Sequence, residues 1–156
     1  MMPKNVLGIV YSNSYDACLE ALTARRTMGS VPFGGRYRLI DFVLSALVGA
    51  GVYDVGIVTK NKYNSLMEHV GWGKDWDLDR KNGGLKILTP FATTDFSYND
   101  NQFEILKSVH GYFDSILEEY CVIASGNMVA NIDFFKFLSF HRENSADISV
   151  LCTKRK

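Results

Sequence analysis

Short β-branched apolar runs recur along this chain, and segments of helical period lie between them. Val6-Leu7-Gly8-Ile9-Val10-Tyr11 is apolar at consecutive positions, the pattern of a strand covered on both faces rather than one. Residues 54–59, 120–124 and 147–152 read the same way. Ile40, Val43, Leu44, Leu47 and Val48 recur at helical spacing, with Gly49 and Gly51 near the stop. Ile105, Leu106, Val109, Phe113, Ile116 and Leu117 form a second stripe. Ile132, Phe135, Leu138 and His141 form a third, with Asn131 as the expected cap. Strands alternating with amphipathic helices predict βαβ units, and therefore an α/β fold around a mostly parallel sheet.

In such sheets ligands bind outside the carboxyl ends of the strands. The segments after Tyr11, Thr59 and Ala124 are therefore the places to seek chemistry. Irregular stretches are expected at 23–38, 71–84 and 89–101, and loops of that length in a compact α/β domain commonly carry function.

Charge and composition exclude several classes. The chain has 156 residues, with 17 Lys+Arg against 17 Asp+Glu, so it offers no net basic face to nucleic acid or an anionic membrane. At 47% hydrophobic and 22% charged residues it is globular rather than disordered. No apolar run approaches the roughly 20 residues of a membrane span, and no signal peptide precedes Val6, so a cytoplasmic protein is expected. Cys18, Cys121 and Cys152 lack metal or disulfide spacing and are expected as buried thiols in a reducing compartment. The three histidines show no paired metal motif.

A phosphate-binding turn after a first strand needs glycines, because backbone N–H groups must reach the phosphate unobstructed. Here the strand runs into Tyr11-Ser12-Asn13-Ser14-Tyr15-Asp16, with no glycine and no cation, and Asp16 repels phosphate. Neither a dinucleotide-binding glycine fingerprint nor a P-loop occurs in the chain. Taken alone, Val31-Pro32-Phe33-Gly34-Gly35-Arg36-Tyr37-Arg38 is a turn with surface charges, and residues 76–84 form a polar loop anchored by Trp76.

In order, Pro32-Phe33-Gly34-Gly35-Arg36-Tyr37-Arg38-Leu39-Ile40-Asp41-Phe42, Leu44-Ser45, Val55-Gly56-Ile57-Val58-Thr59 and Trp76-Asp77-Leu78-Asp79-Arg80-Lys81-Asn82-Gly83-Gly84 closely resemble glucose-1-phosphate adenylyltransferase. The likeness runs from about Val6 to Lys156. That resemblance implies a Rossmann-like nucleotidyltransferase domain with helices on both faces of the sheet. It also implies a family chemistry that makes ADP-glucose from ATP and glucose 1-phosphate with Mg²⁺. Residues 1–156 would be the N-terminal part of that domain, with its remainder and a left-handed β-helix lying beyond.

The departures from the family pattern bear on function. The glycine loop after the first strand is replaced by Tyr11-Ser12-Asn13-Ser14. The phosphate-facing lysine aligns with Met28, whose thioether carries no charge. The nucleotide-pocket stretch expected near Tyr98–Phe103 is absent. The metal-holding aspartate after the strand at 120–124 aligns with Asn127, which offers a neutral oxygen where Mg²⁺ favours an anionic one. The resemblance therefore implies no catalytic residue and no bound metal or nucleotide here. It points to a regulatory subunit of glycogen synthesis, assembled as a hetero-oligomer with a catalytic adenylyltransferase subunit. Arg36, Arg38, Asp41, Trp76, Asp77, Asp79 and Arg80 would remain as scaffold or as sugar-phosphate contacts. Two other readings stay open. One is an active adenylyltransferase with a divergent site, using Asp16 or Asp133; the other is a sugar-phosphate sensor at residues 76–84.

Overall fold

The computed structural model describes residues 5–13, 15–89 and 102–153. Strand β1 (Val6–Tyr11) is buried at all six positions, as its unbroken apolar run requires. A 3₁₀ turn (Asp16–Leu19) leads into the single-turn helix α1 (Glu20–Thr23). A second 3₁₀ turn (Met28–Ser30) precedes a two-residue hairpin of β2 (Pro32–Phe33) and β3 (Tyr37–Arg38). Helix α2 (Leu39–Gly49), strand β4 (Asp54–Val58) and helix α3 (Asn64–Val70) follow. Strand β5 (Gly84–Leu88), helices α4 (Gln102–Ser108) and α5 (His110–Phe113), strand β6 (Tyr120–Ser125) and helix α6 (Phe134–Glu143) complete the order.

The main sheet has the order β5-β4-β1-β6 and every pairing in it is parallel. Gly8 lies between Val55 and Val122, and Tyr11 between Val58 and Ser125, so β1 is the spine. Helices α2, α3 and α6 cover one face, where Ile40, Leu44, Leu47, Leu66, Phe134 and Leu138 pack on Val10, Val55 and Ile57. On the other face Leu7, Ile9, Tyr11 and Val58 meet Val109, with Ile105, Leu106 and Phe113 packed alongside. The expected α/β sheet with helices on both faces is present.

Several local expectations are corrected. Residues 147–152 form no strand, because no ladder partner lies beside them among the described residues. Ile148 and Val150 are 82% and 74% exposed. The stripe from Ile105 to Leu117 breaks into α4 and α5. Ser108 Oγ turns back to Ile105 O at 2.6 Å, which competes with helical bonding, and Leu117 ends up outside any helix. Asp133, not Asn131, caps α6: its Oδ1 accepts Lys136 N–H at 3.0 Å. The cap's position buries Phe134 and Leu138 and turns Phe135 outward. All three cysteines are exposed rather than buried, Cys121 because β6 is an edge strand with its second face only partly covered.

The irregular stretch at 23–38 holds the β2–β3 hairpin, and the one at 71–84 holds a 3₁₀ turn (Lys74–Trp76) that runs up to β5. Of the third stretch, residues 90–101 lie outside the described residues, and with them most of the Tyr98–Phe103 segment.

Two buried phenols set an alkaline limit on this packing. Tyr11 Oη donates to Gln102 O at 2.9 Å, and burial, then the nearby Cys121 thiol, pushes its pKa up to about 12. Tyr112 Oη donates to Asp54 Oδ1 at 3.1 Å and is raised further, by burial first and then by the Asp54 charge. Both groups hold their protons more tightly when folded, so the unfolded chain ionises first. Their contribution is whole below pH about 10 and is lost as pH rises through the folded values. Urea midpoints should therefore fall between pH 10 and 12, and the paired change Tyr11→Phe, Tyr112→Phe should flatten that fall. An undiminished slope in the double variant would reject the assignment.

Candidate functional site

The strand order places β1 between β4, the next strand of this sheet along the chain, and the much later β6, so the connection from β1 goes to one side and the chain returns from β5 to the other. That is the point where a parallel sheet opens a crevice at its carboxyl ends. Here the crevice is bordered by Tyr11-Ser12, Ser125-Gly126-Asn127 and the buried 3₁₀ turn at Met28–Ser30.

The chain closes it with its own groups. Ser12 N–H donates to Val58 O at 3.0 Å, Gly29 N–H to Ser12 O at 2.9 Å and Gly126 N–H to Tyr11 O at 2.7 Å. A side chain at Gly126 would put Cβ 2.9 Å from Tyr11 O and 3.3 Å from Ser12 Cα, so only glycine lets these backbones approach so closely. Asn13 ties the loop to the neighbouring strand end: its Oδ1 accepts Thr59 Oγ1 at 3.0 Å and Lys60 N–H at 2.8 Å. Its Nδ2 donates to Asp16 Oδ2 at 2.7 Å, and Asp16 Oδ1 accepts Met28 N–H at 2.7 Å. Burial raises the Asp16 pKa, outweighing the hydrogen bonds from Asn13 and Met28 and the nearby Lys62 charge, all of which favour the anion.

The crevice therefore already contains an anion, supplied by the chain. Asp16 takes a backbone N–H that a phosphate would otherwise find, and at 4 Å a second negative charge costs roughly 1–4 kcal/mol across effective dielectrics of 80 to 20. Met28 is 4% exposed and brings no charge. Asn127, in the turn after β6, offers an amide where a divalent cation favours a carboxylate. Among the described residues no three His, Cys, Asp or Glu side chains gather as metal ligands. These residues do not fit an ATP–Mg²⁺ complex. Ser125 Oγ, buried at the end of β6, has no hydrogen-bond partner among the described residues.

The residues singled out from sequence do not form one site. Arg36, Asp41 and Trp76 line an open cavity of about 1250 Å³, with Tyr37, Phe42 and Asn131. Asp41 accepts Arg38 N–H through Oδ2 at 3.0 Å and meets His69 Nε2 through Oδ1 at 2.6 Å, tying the start of α2 to α3. The Arg38 guanidinium bonds Ser65, and its pKa is lowered by burial and then by Arg26. Trp76 Nε1 donates to Ser45 Oγ at 3.2 Å. Asp77 and Arg80 pair with each other on the surface, with Arg80 stacked 3.8 Å over the Tyr53 ring; Asp79 is exposed beside them. Asp133 serves as the α6 cap, with Lys136 Nζ 3.6 Å away.

Sequence reasoning missed Asn13 as the bridging group and His69 as the partner of Asp41. An asparagine two residues beyond a fully buried strand was the available signal for the first; nothing in the spacing marked the second. No helix among the described residues is long and apolar enough to cross a membrane.

The nucleotidyl transferase family pattern matches residues 18–156. A glycogen biosynthesis protein GlgD of Geobacillus stearothermophilus is 41% identical over 152 residues, covering 95% of this chain and 43% of that protein. A glucose-1-phosphate adenylyltransferase of Thermosipho africanus is 38% identical over 151 residues, covering 96% of this chain and 36% of that protein. The chain thus spans about two fifths of the length of these curated relatives. Among solved structures, one from Bacillus anthracis assigned as a glucose-1-phosphate thymidylyltransferase superposes with a TM-score of 0.69. It is 14% identical and covers 88% of this chain and 50% of that one.

Proposed function

The chain belongs to the nucleotidyl transferase family, and we propose that it is part of a non-catalytic, regulatory member that acts in glycogen synthesis beside a catalytic glucose-1-phosphate adenylyltransferase. The observation that carries this reading is the Asp16 carboxylate on the Met28 N–H, in a crevice closed by the chain's own hydrogen bonds. Met28 and Asn127, standing where the family pattern calls for a lysine and an aspartate, support it from the side of charge. The likeness to two GlgD proteins, 41% and 39% identical, supports the pathway. Catalytic relatives are nearly as similar, so the family likeness alone does not separate the two roles.

The fold suits such a role. A subunit that alters a partner needs an intact scaffold and no open chemical site, and here the sheet and its helices are kept while the crevice is filled. The test is to combine the full-length protein with the catalytic homologue of the same organism. The mixture is expected to elute as a joint species on size exclusion and to change the homologue's KM or effector response at least threefold. Unaltered kinetics together with separate elution would remove the proposal.

A further inference from the structure

We infer that the open cavity beside α2 is a binding site for a neutral oligosaccharide, distinct from the closed crevice at the strand ends. Its walls are the outward side of α2, the 3₁₀ turn at Lys74–Trp76 and the connection from β6 to α6. None of Ser12, Met28, Gly29 and Asn127 lines it.

The class of ligand follows from the lining. Three aspartates, Asp41, Asp75 and Asp133, line it with one arginine, Arg36, and one histidine, His69. Asp41 is occupied by His69 and the Arg38 N–H, and Asp133 by its capping bond and Lys136, while Asp75 is exposed. A phosphorylated sugar or a nucleotide would enter a surplus of negative charge, which opposes it. An acyl chain would strip water from carboxylates and amides without replacing their hydrogen bonds.

Sugar hydroxyls both donate and accept, so one ligand satisfies the acceptor-only Asp75 carboxylate and the donor-only Arg36 guanidinium together, with Asn131 able to do either. Trp76, Tyr37 and Phe42 add aromatic surface for the apolar faces of pyranose rings. The volume, about 1250 Å³, exceeds the roughly 300–1,000 Å³ of sites for drug-sized molecules, which suits a chain of several sugar units. A cationic peptide would also welcome the carboxylates and aromatics, but Arg36 opposes it and the amide donors gain nothing from it.

The saccharide class stands on this lining; an α-linked glucan as the occupant rests on the glycogen-synthesis reading. The test is calorimetry on the full-length protein with maltoheptaose, cellohexaose, glucose 1-phosphate and hexalysine. A Trp72→Phe background, in which Trp76 is the tryptophan left in these residues, supplies a fluorescence readout. Maltoheptaose is expected to bind and shift Trp76 emission, and Asp75→Ala and Asn131→Ala should each weaken it about tenfold. Both positions are exposed, so these variants keep the fold, which circular dichroism would verify. Binding of cellohexaose in place of maltoheptaose would keep the saccharide site and overturn its glucan occupant. Tighter binding of glucose 1-phosphate or hexalysine, absence of any saccharide binding, or affinity unmoved in both variants would overturn the site itself.

Discussion

Full-length protein given ATP, glucose 1-phosphate and Mg²⁺ is expected to form ADP-glucose at least about 10⁴-fold more slowly than a catalytic homologue, and Asn127→Asp alone should not recover it. Removing one preorganised electrostatic group from an active site costs about 10²–10³ in rate, and on the proposed reading two are missing, at Met28 and Asn127. The losses need not multiply, because groups that act on one substrate act as a unit. The closure of the crevice adds a separate obstacle. A carboxylate restored at residue 127 would leave in place the Asp16 carboxylate on the Met28 N–H and the loop that Asn13 pins to Thr59 and Lys60.

Met28→Lys is no simple remedy either, since it places an ammonium at a position 4% exposed, where desolvation works against it. The measurement is a coupled pyrophosphate assay, with a homologue run in parallel. A wild-type rate within a hundredfold of the homologue, or a comparable rate in Asn127→Asp, would mean that the crevice opens in solution. In the first case the non-catalytic reading fails; in the second the closed crevice does, and the loss rests on residue 127 alone.

The fold was legible where burial is symmetric and local. Val6–Tyr11 is covered on both faces, so every residue reports the same environment and the strand announces itself. Helix α2 announces itself because Ile40, Val43, Leu44 and Leu47 are all at most 1% exposed along one stripe. Strand β5 was hidden because it lies at the sheet's edge: Leu85, Ile87 and Leu88 are only half-buried, and Lys86 is exposed between them. Residues 147–152 show the opposite failure. Their pattern suits a strand, but a strand is a relation to a partner, and none lies beside them in the described residues.

The site divides along the same line. The absence of glycine and of cations from residues 11–16 was visible as residue identity. What holds that loop was not, because the Asp16–Met28 and Asn13–Thr59 bonds join positions 12 and 46 residues apart. Side-chain bonds at such separations leave no periodic trace. The gathering of Arg36, Trp76 and Asn131 around one cavity likewise depends on how α2 and the β6–α6 connection pack.

Gly84→Ala is expected to cost about 3–5 kcal/mol of stability, the range reserved for changes that break a specific structural feature. Gly84 has φ +86, in the left-handed region, where a β-carbon alone costs about 1–2 kcal/mol. The added methyl would stand 2.5 Å from Leu78 O and 3.3 Å from Arg80 O, both backbone atoms with no rotamer to yield. Leu78 O also accepts Leu85 N–H at 3.0 Å, and Gly84 N–H donates to Tyr53 O at 2.8 Å, so relief of the clash breaks bonds that start β5 in register with β4. Leu78 is 1% exposed and would have to leave the core with its carbonyl. Gly49→Ala makes the contrast: its β-carbon meets nothing within 4 Å in the last turn of α2, and a helical alanine there should be neutral or add up to about 1 kcal/mol. Urea unfolding of the two variants separates the effects, because both add the same methyl. If Gly84→Ala stayed within 1 kcal/mol of wild type, the chain between Leu78 and β5 would have to take another path, and the fourth strand of the sheet would lose its anchor.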